Sequence, residues 1–284
     1  MSDCTPSVTV LMSVYNGLPY LNQAIKSVLN QTFSDFEFLI IDDASTDGSR
    51  KALKEWANRD DRIRLVLHEE NEGLGYSLNE GVKEAYGLWI ARMDADDISL
   101  DERLEEQITY LREHPSIDVL GTWAVDIDSE GRRLRQRTYP VEHEEIARLI
   151  WTNPLIHPTV MFRKSAVQAV GSYDSTVRKR QDYELWFRCL DAGLGFGNLP
   201  KVLLKYRFTG DYYDRNDLKV AWEQAKMGWQ GCWQVGASPL AYLGVSVPVL
   251  RSMLPKRLNA FLHRQLHRID PRCKSTEKKE SDFS

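Results

Sequence analysis

The chain has 284 residues, is 42% hydrophobic and 27% charged, and carries a net charge of −4. That composition fits an ordinary globular protein with enough chain for one large domain or one and a half. The mildly acidic balance gives no electrostatic footprint for nucleic acid, and no run reaches the roughly 18 to 20 apolar residues that a bilayer span requires. The four cysteines, Cys4, Cys189, Cys232 and Cys273, are scattered without C-x-x-C spacing. Neither a disulfide framework nor a zinc site is expected, and reduced cytoplasmic thiols are. The opening MSDCTPSVTV lacks a basic stretch leading into an apolar one, so no signal peptide is expected.

The first hundred residues alternate strand and helix signals. Val8 to Val14 is a short β-branched run and reads as a buried strand. After the turn NGLPY, Tyr20 to Asn30 places Leu21, Ala24, Ile25, Val28 and Leu29 at helical spacing. Phe36 to Ile41 is the second strand and stops at DDASTDGS, where Ser45 or Asp47 can cap the helix that runs through Leu53 and Trp56. Ile63 to Leu67 is a third strand, NEGLG a loop, and Tyr76 to Tyr86 a helix with Leu78, Val82 and Ala85 on one face. Leu88 to Met93 is the fourth strand. Such alternation predicts an α/β fold with a Rossmann-like, mostly parallel sheet flanked by helices. In such sheets ligands bind beyond the carboxyl ends of the strands. VYN, DDASTDG and DADD each follow a strand end, so three polar clusters are expected on one edge.

Beyond Leu104 the pattern loosens. Glu105 to Arg112 continues a helix, Ile117 to Ala124 reads as a strand, and DSEGRR as a turn. NPLIHPTVMF reads as a loop entering a strand that ends near Phe162. QDYELWFRCLDAG reads as a helix with Leu185, Trp186, Cys189 and Leu190 inward, followed by a strand over Val202 to Phe208 and a Trp-rich helix over Arg215 to Gln234. From Pro239 to Ile269 the sequence mixes apolar residues with Arg251, Lys256, Arg257, Arg264 and Arg268 and has no acid before Asp270. Two readings stay open there. One is an amphipathic basic segment in peripheral contact with the cytoplasmic face of an anionic membrane through 239–269. The other is a helical pair packed on the catalytic domain or on a second subunit. The polar tail, 271–284, is expected to be disordered.

WIARMDADDIS raises the chemical question. An apolar strand ends in Asp94, Asp96 and Asp97, and like charges so close repel. A hard divalent cation, Mg2+ or Mn2+, would answer that repulsion, since carboxylates at i and i+2 in a tight turn can reach one ion. A calcium loop starting at Asp94 is excluded because Ser99 stands where its invariant glycine belongs. An acidic turn near a helix N-terminus is the plain alternative. Asp42 and Asp43 likewise follow a strand, and one carboxylate there could accept the N–H of a pyrimidine or hold a ribose hydroxyl. A P-loop is excluded by the lack of G-x-x-x-x-G-K-[ST] and of G-x-G-x-x-G after a strand.

Taken in order, VTVLMSVYNGLPYLNQAIKSVLNQTFSDFEFLIIDDASTDGS, NEGLGYSLNEGVKEAYGLWIARMDADD and QDYELWFR resemble the family 2 glycosyltransferases, inverting enzymes with the GT-A fold. The likeness is strong from Val8 to Gln107 and patchier to Phe208. It implies a catalytic domain over 1–210, with a nucleotide and metal half, 1–107, and an acceptor half, 108–210, followed by a helical extension over 211–270. It further implies that Val14, Tyr15, Asn16, Asp42 and Asp43 hold the base and ribose, with either aspartate able to meet the base. Asn71, Gly73 and Leu74 border the nucleotide, and Asp94 and Asp96 hold a divalent cation on the donor diphosphate, with Asp94 also touching the nucleotide. Asp97, His157 and Gln181 would line the donor and acceptor.

The family's base is an acid at the start of a later helix, usually in a Glu-Asp pair. Here the match is Gln181-Asp182, so Asp182 takes that role, and Gln181 departs from the pattern. The Q-x-x-R-W motif of processive members is absent, which implies one sugar per encounter. The expected reaction is transfer from a nucleotide-diphosphate sugar, uridine by family preference, to a saccharide or lipid-linked saccharide in surface polysaccharide assembly. Two alternatives remain at this stage: a nucleotidyltransferase that makes the activated sugar, and a non-catalytic relative that keeps the nucleotide pocket.

Overall fold

The continuous apolar runs become strands buried on both sides. In the computed structural model, which describes residues 5–208, 218–252 and 272, Val8–Val14 (β1), Phe36–Asp42 (β2), Ile63–Leu67 (β3) and Trp89–Met93 (β4) lie in the order β3-β2-β1-β4. Every neighbouring pair among them is parallel. Side chains alternate between two cores, as the two-residue period of a strand requires. Val8, Val10 and Met12 meet Leu21–Leu29 (α1), Ser49–Ala57 (α2) and Arg103–Glu113 (α4) on one face. Leu11, Leu39, Ile41 and Ile90 meet Leu74–Glu84 (α3) and Gln181–Asp191 (α7) on the other. All four carboxyl ends therefore open on the same edge.

The same sheet continues past β4 through Met161–Arg163 (β8), Val119–Ile127 (β6), Phe196–Arg207 (β9) and Ile98–Ser99 (β5), while Arg133–Arg137 (β7) pairs with β6. Here the pairings are mixed, with β6 and β9 parallel and the others antiparallel. His143–Arg148 (α5), Lys164–Ala169 (α6), Leu218–Gln234 (α8) and Pro239–Ser252 (α9) complete the described elements.

Several boundaries differ from the periodicity. β9 begins at Phe196, six residues ahead of the expected Val202. Pro200 cannot donate to a ladder, and the pairing steps over it, from Thr122–Leu199 to Trp123–Val202. β7 (RLRQR) has no apolar alternation at all. It is held by its partner strand, where Asp126 takes ion pairs from Arg135 at 2.9 Å and Arg137 at 2.5 Å. α3 begins at Leu74, two residues before the expected start, directly after Gly73 at φ 91°. NPLIHPTVMF folds into a short 3-10 turn, His157–Thr159, ahead of β8. Leu190 is half-buried, whereas Leu185, Trp186 and Cys189 are fully inward as expected. Residues 253–271 and 273–284, and with them the expected tail apart from Arg272, lie outside the described residues, as do Cys4 and Cys273.

Leu11 is completely buried between β1 and α3. Leu11→Ala should lower unfolding stability by about 3 kcal/mol through lost burial and a residual cavity, measured by urea denaturation.

Candidate active site

The three strand-end clusters do meet, and the turns between them are tied to one another. After β1, Asn16 adopts φ 53°, its N–H donates to Ser45 Oγ at 3.0 Å, and its Oδ1 accepts the Thr46 N–H at 2.8 Å. Asp47 accepts the N–H groups of Ser49, at 2.9 Å, and Leu18, at 3.1 Å. The N-cap of α2 is Gly48, so neither expected residue occupies that position: Asp47 accepts the Ser49 N–H from just ahead of it, and Ser45 fastens the turn after β1. Tyr15 is left about half exposed beside this junction.

The adjacent aspartates do different work. Asp43 is buried, and its carboxylate accepts the N–H groups of Glu72 and Gly73, both at 2.9 Å. Asn71 Nδ2 donates to the Asp43 carbonyl at 3.2 Å. The NEGL loop is therefore folded onto Asp43. Asp42 is fully buried, pairs with Arg50 Nε at 2.5 Å, and has one oxygen, Oδ1, with no hydrogen-bond partner among the described residues. Beneath them His68 bridges Asp43, at 2.8 Å, and Glu80 on α3, at 2.5 Å. Burial opposes a charge on that imidazole, but the hydrogen bonds to Asp43 and Glu80 outweigh it and raise its pKa above the ordinary 6.5.

At the end of β4, Asp94, Asp96 and Asp97 bring carboxylate oxygens within 4.8 Å of one another. Arg92, buried inside the strand, forms an ion pair with Asp94. Arg207 on β9 closes the cluster from the other side. Its N–H donates to Asp97 Oδ1 at 2.7 Å and its Nε to the Asp96 carbonyl at 2.8 Å. Burial, and then Asp94, push the Asp96 carboxyl up to about 6. Burial, with Asp94 and Asp96 beside it, also drives the Asp97 carboxyl well above its ordinary value. The second Asp97 oxygen is buried without a hydrogen-bond partner among the described residues. An all-carboxylate set with a spare buried oxygen and an excess of negative potential suits a hard divalent cation.

The segment that follows the acid cluster carries the remaining candidates. Asp182, at the start of α7, accepts a hydrogen bond from Asn153 Nδ2 at 2.7 Å. Asn153 is held in the left-handed region at φ 55°. Gln181 is buried, with its Nε2 lacking a hydrogen-bond partner among the described residues. His157 Nε2 meets the Tyr173 hydroxyl at 2.8 Å. Burial, reinforced by the Arg92 charge, keeps His157 well below its ordinary pKa, so the ring is neutral. Burial raises the Tyr173 phenol far above its usual range, and the phenol feels Arg92, Asp182 and Asp94 together. Gly75 on the donor side lies so close to the turn before α7 that a Cβ there would sit 2.8 Å from the Val177 carbonyl oxygen.

The sequence reading missed Arg92, Arg207, His68, Asn153 and Tyr173. Arg92 had a visible signal, a charge inside the apolar run WIARM. The others are brought in by tertiary contacts that no local spacing encodes.

The sequence profile described as Glycosyl transferase family 2 matches residues 9–184. The chain belongs to that family. This glycosyltransferase is 32% identical to EpsE of Bacillus subtilis, over 92% of this chain and 94% of EpsE. It is 35% identical to AmsE, an amylovoran biosynthesis glycosyltransferase of Erwinia amylovora, over 73% of this chain and 78% of AmsE. The crystal structure of S. aureus TarS 1–349 in complex with UDP shares the fold with a TM-score of 0.66 and 20% identity, covering 93% of this chain and 78% of that one. The mannosyltransferase PcManGT from Pyrobaculum calidifontis, in complex with GDP-Man and Mn2+, does so with a TM-score of 0.60 and 16% identity, over 93% and 80% of the two chains. The fold is GT-A.

His68 supplies a pH signature. Its folded pKa is raised above 6.5, so its contribution to stability is complete below about pH 6.5 and is lost as pH rises through the folded value. His68→Gln should lower the melting temperature at pH 6 and converge on the parent at high pH, measured by thermal melts across that range.

Proposed function

We propose that this glycosyltransferase moves one sugar, with inversion, from a nucleotide-diphosphate sugar to an acceptor hydroxyl in surface polysaccharide assembly, and that the nucleotide is UDP. The observation that carries this reading is the convergence of the acid cluster and Asp182 on one buried group, Arg92, His157 and Tyr173. The UDP bound by TarS and the amylovoran role of AmsE support the donor and pathway classes. In this reading 1–107 forms the donor half and 108–210 the acceptor half.

Val14, Tyr15, Asn16, Asp42 and Asp43 frame the base and ribose. Asp42 presents its spare oxygen, and Asp43 shapes the loop of Asn71, Gly73 and Leu74 along the nucleotide. Asp94 and Asp96 would hold a Mn2+ or Mg2+ ion, with Asp97 behind them and Asp94 also at the nucleotide, a reading that the Mn2+ of PcManGT supports. When bound, that ion would supply Lewis-acid stabilisation of the departing diphosphate. Asp182 accepts the proton of the acceptor hydroxyl as that oxygen attacks the anomeric carbon. The bond to the diphosphate breaks, and the nucleoside diphosphate leaves with the electron pair. Asn153 orients the Asp182 carboxylate for this step. Neutral His157 and the unpaired Gln181 amide line the space between donor and acceptor.

Calorimetric titration with UDP, GDP and dTDP, with Mn2+ or Mg2+ and then with EDTA, tests the donor site. UDP should bind only with metal, and Asp96→Ala should abolish that binding. Failure of every nucleotide to bind folded protein overturns the reading. Asp182→Asn should keep UDP binding and lower kcat by about 10²- to 10⁴-fold, the usual share of a general base, and full turnover in this variant removes the assignment. Asn153→Ala should lower kcat about tenfold, as misplaced catalytic groups do, with nucleotide affinity unchanged.

A further inference from the structure

The Arg207 guanidinium, only 5% exposed at the end of β9, bonds to no carboxylate among the described residues. Its Nη1 donates to the carbonyls of Asp128, at 2.8 Å, and Ser129, at 3.2 Å, in the turn between β6 and β7. Its Nη2 donates to Gln23 Oε1 on α1 at 3.0 Å, and the guanidinium carbon stands 4.1 Å from the centre of the Tyr20 ring. These outer contacts aim Nε at the Asp96 carbonyl, while the Arg207 backbone N–H meets Asp97 Oδ1. A cation buried this far is ordinarily matched by a contacting acid. Here all the side-chain bonds go to carbonyl or amide oxygens. A guanidinium is a rigid planar fork, so fixing its outer arms fixes the direction of the inner one.

We propose that Arg207 is a positioning residue for the acid turn: it holds the Asp96–Asp97 backbone and thereby sets how tightly Asp94 and Asp96 take a divalent cation. The inference rests on the reading that those two acids hold the donor's ion. Residues 94–97 join β4 to β5, and β5 is only Ile98–Ser99, paired with Lys205 and Leu204 of β9. So short a strand gives the turn little hold of its own. The three carboxylates within 4.8 Å of one another repel and act to open it. Arg92 restrains Asp94, and the bonds from Arg207 restrain the next two acids.

The charge and the position of Arg207 act on an incoming cation in opposite directions. The guanidinium repels the ion, whereas a turn already assembled spares the ordering cost of binding it. A residue serving charge balance alone would weaken cation binding, and a positioning residue strengthens it. Variants that keep the positive charge therefore isolate the positional effect.

Mn2+ binding to the full chain, read as loss of the free-ion paramagnetic resonance signal with and without UDP, tests the inference and needs no turnover. Arg207→Lys keeps the charge and loses the fork, and should weaken Mn2+ binding about ten- to a hundredfold, as loss of an outer partner of a metal ligand does. Tyr20 is half-buried and Gln23 exposed, and both touch only the outer side of the guanidinium. Tyr20→Leu and Gln23→Met should each weaken binding about threefold, with the melting temperature in EDTA unchanged. Tyr20→Phe keeps the ring and should match the parent. If Arg207→Lys does not fold, the Tyr20 and Gln23 variants decide. Parental or tighter Mn2+ binding in the folded variants overturns the inference and leaves the donor-site reading standing. A parent that binds no Mn2+ in either condition overturns the donor-site reading itself, and this inference with it.

Discussion

The buried guanidinium of Arg92 sets the terms for the whole active edge. It stands at the end of β4 with almost no solvent, and an unpaired charge in such a place costs several kcal/mol. Asp94 meets it directly, while Arg207 bonds the backbone and side chains next to it. Arg103, also buried, donates to the Arg92 carbonyl at 2.8 Å from the opposite face of the sheet. Arg92 and Arg207 hold the acid cluster in place, while burial first and the neighbouring carboxylates next make Asp96 and Asp97 keep their protons more tightly than ordinary carboxylates. The edge therefore gathers three carboxylates within 4.8 Å of one another at one strand end, a donor set of the kind that hard cations favour.

The same economy appears in the paired aspartates after β2. Both follow an apolar strand, yet their backbone positions send them to different tasks. Asp43 spends its oxygens on the N–H groups of Glu72 and Gly73 and on His68. It converts a flexible Asn-Glu-Gly sequence into a fixed rim. Asp42, backed by Arg50, keeps an oxygen in reserve. Construction and presentation are thus divided between neighbours, and the division is fixed before any ligand arrives.

Much of this was legible in the sequence because parallel strands buried on both faces write continuous apolar runs. The runs at Val8, Phe36, Ile63 and Leu88 located β1 to β4, and with them the edge on which the acids that follow these strands lie. Legibility failed where tertiary contacts dominate local pattern. β7 has one apolar residue, the exposed Leu134, and is held by Asp126, which pairs with Arg135 and Arg137. The Asn153 contact with Asp182 joins residues 29 apart in sequence, and Arg207 reaches the acid cluster from 110 residues away. Neither leaves a local signature. Asp42 and Asp43 were found as a pair, but only hydrogen-bond geometry told them apart.

Gly75 joins the two halves at a point where nothing larger fits. A Cβ there would press on the carbonyl oxygens of both Val177 and Asp174. Backbone on that side cannot yield as a flexible side chain can. The 71–75 rim and the turn leading to Asp182 thus form a common seam, and a displacement of one is transmitted to the other as steric strain. Divergence within such a scaffold is constrained accordingly. A lineage that reshapes the 71–75 rim must alter the 174–181 stretch in step. Changes across this seam should therefore arise as coupled substitutions rather than single ones.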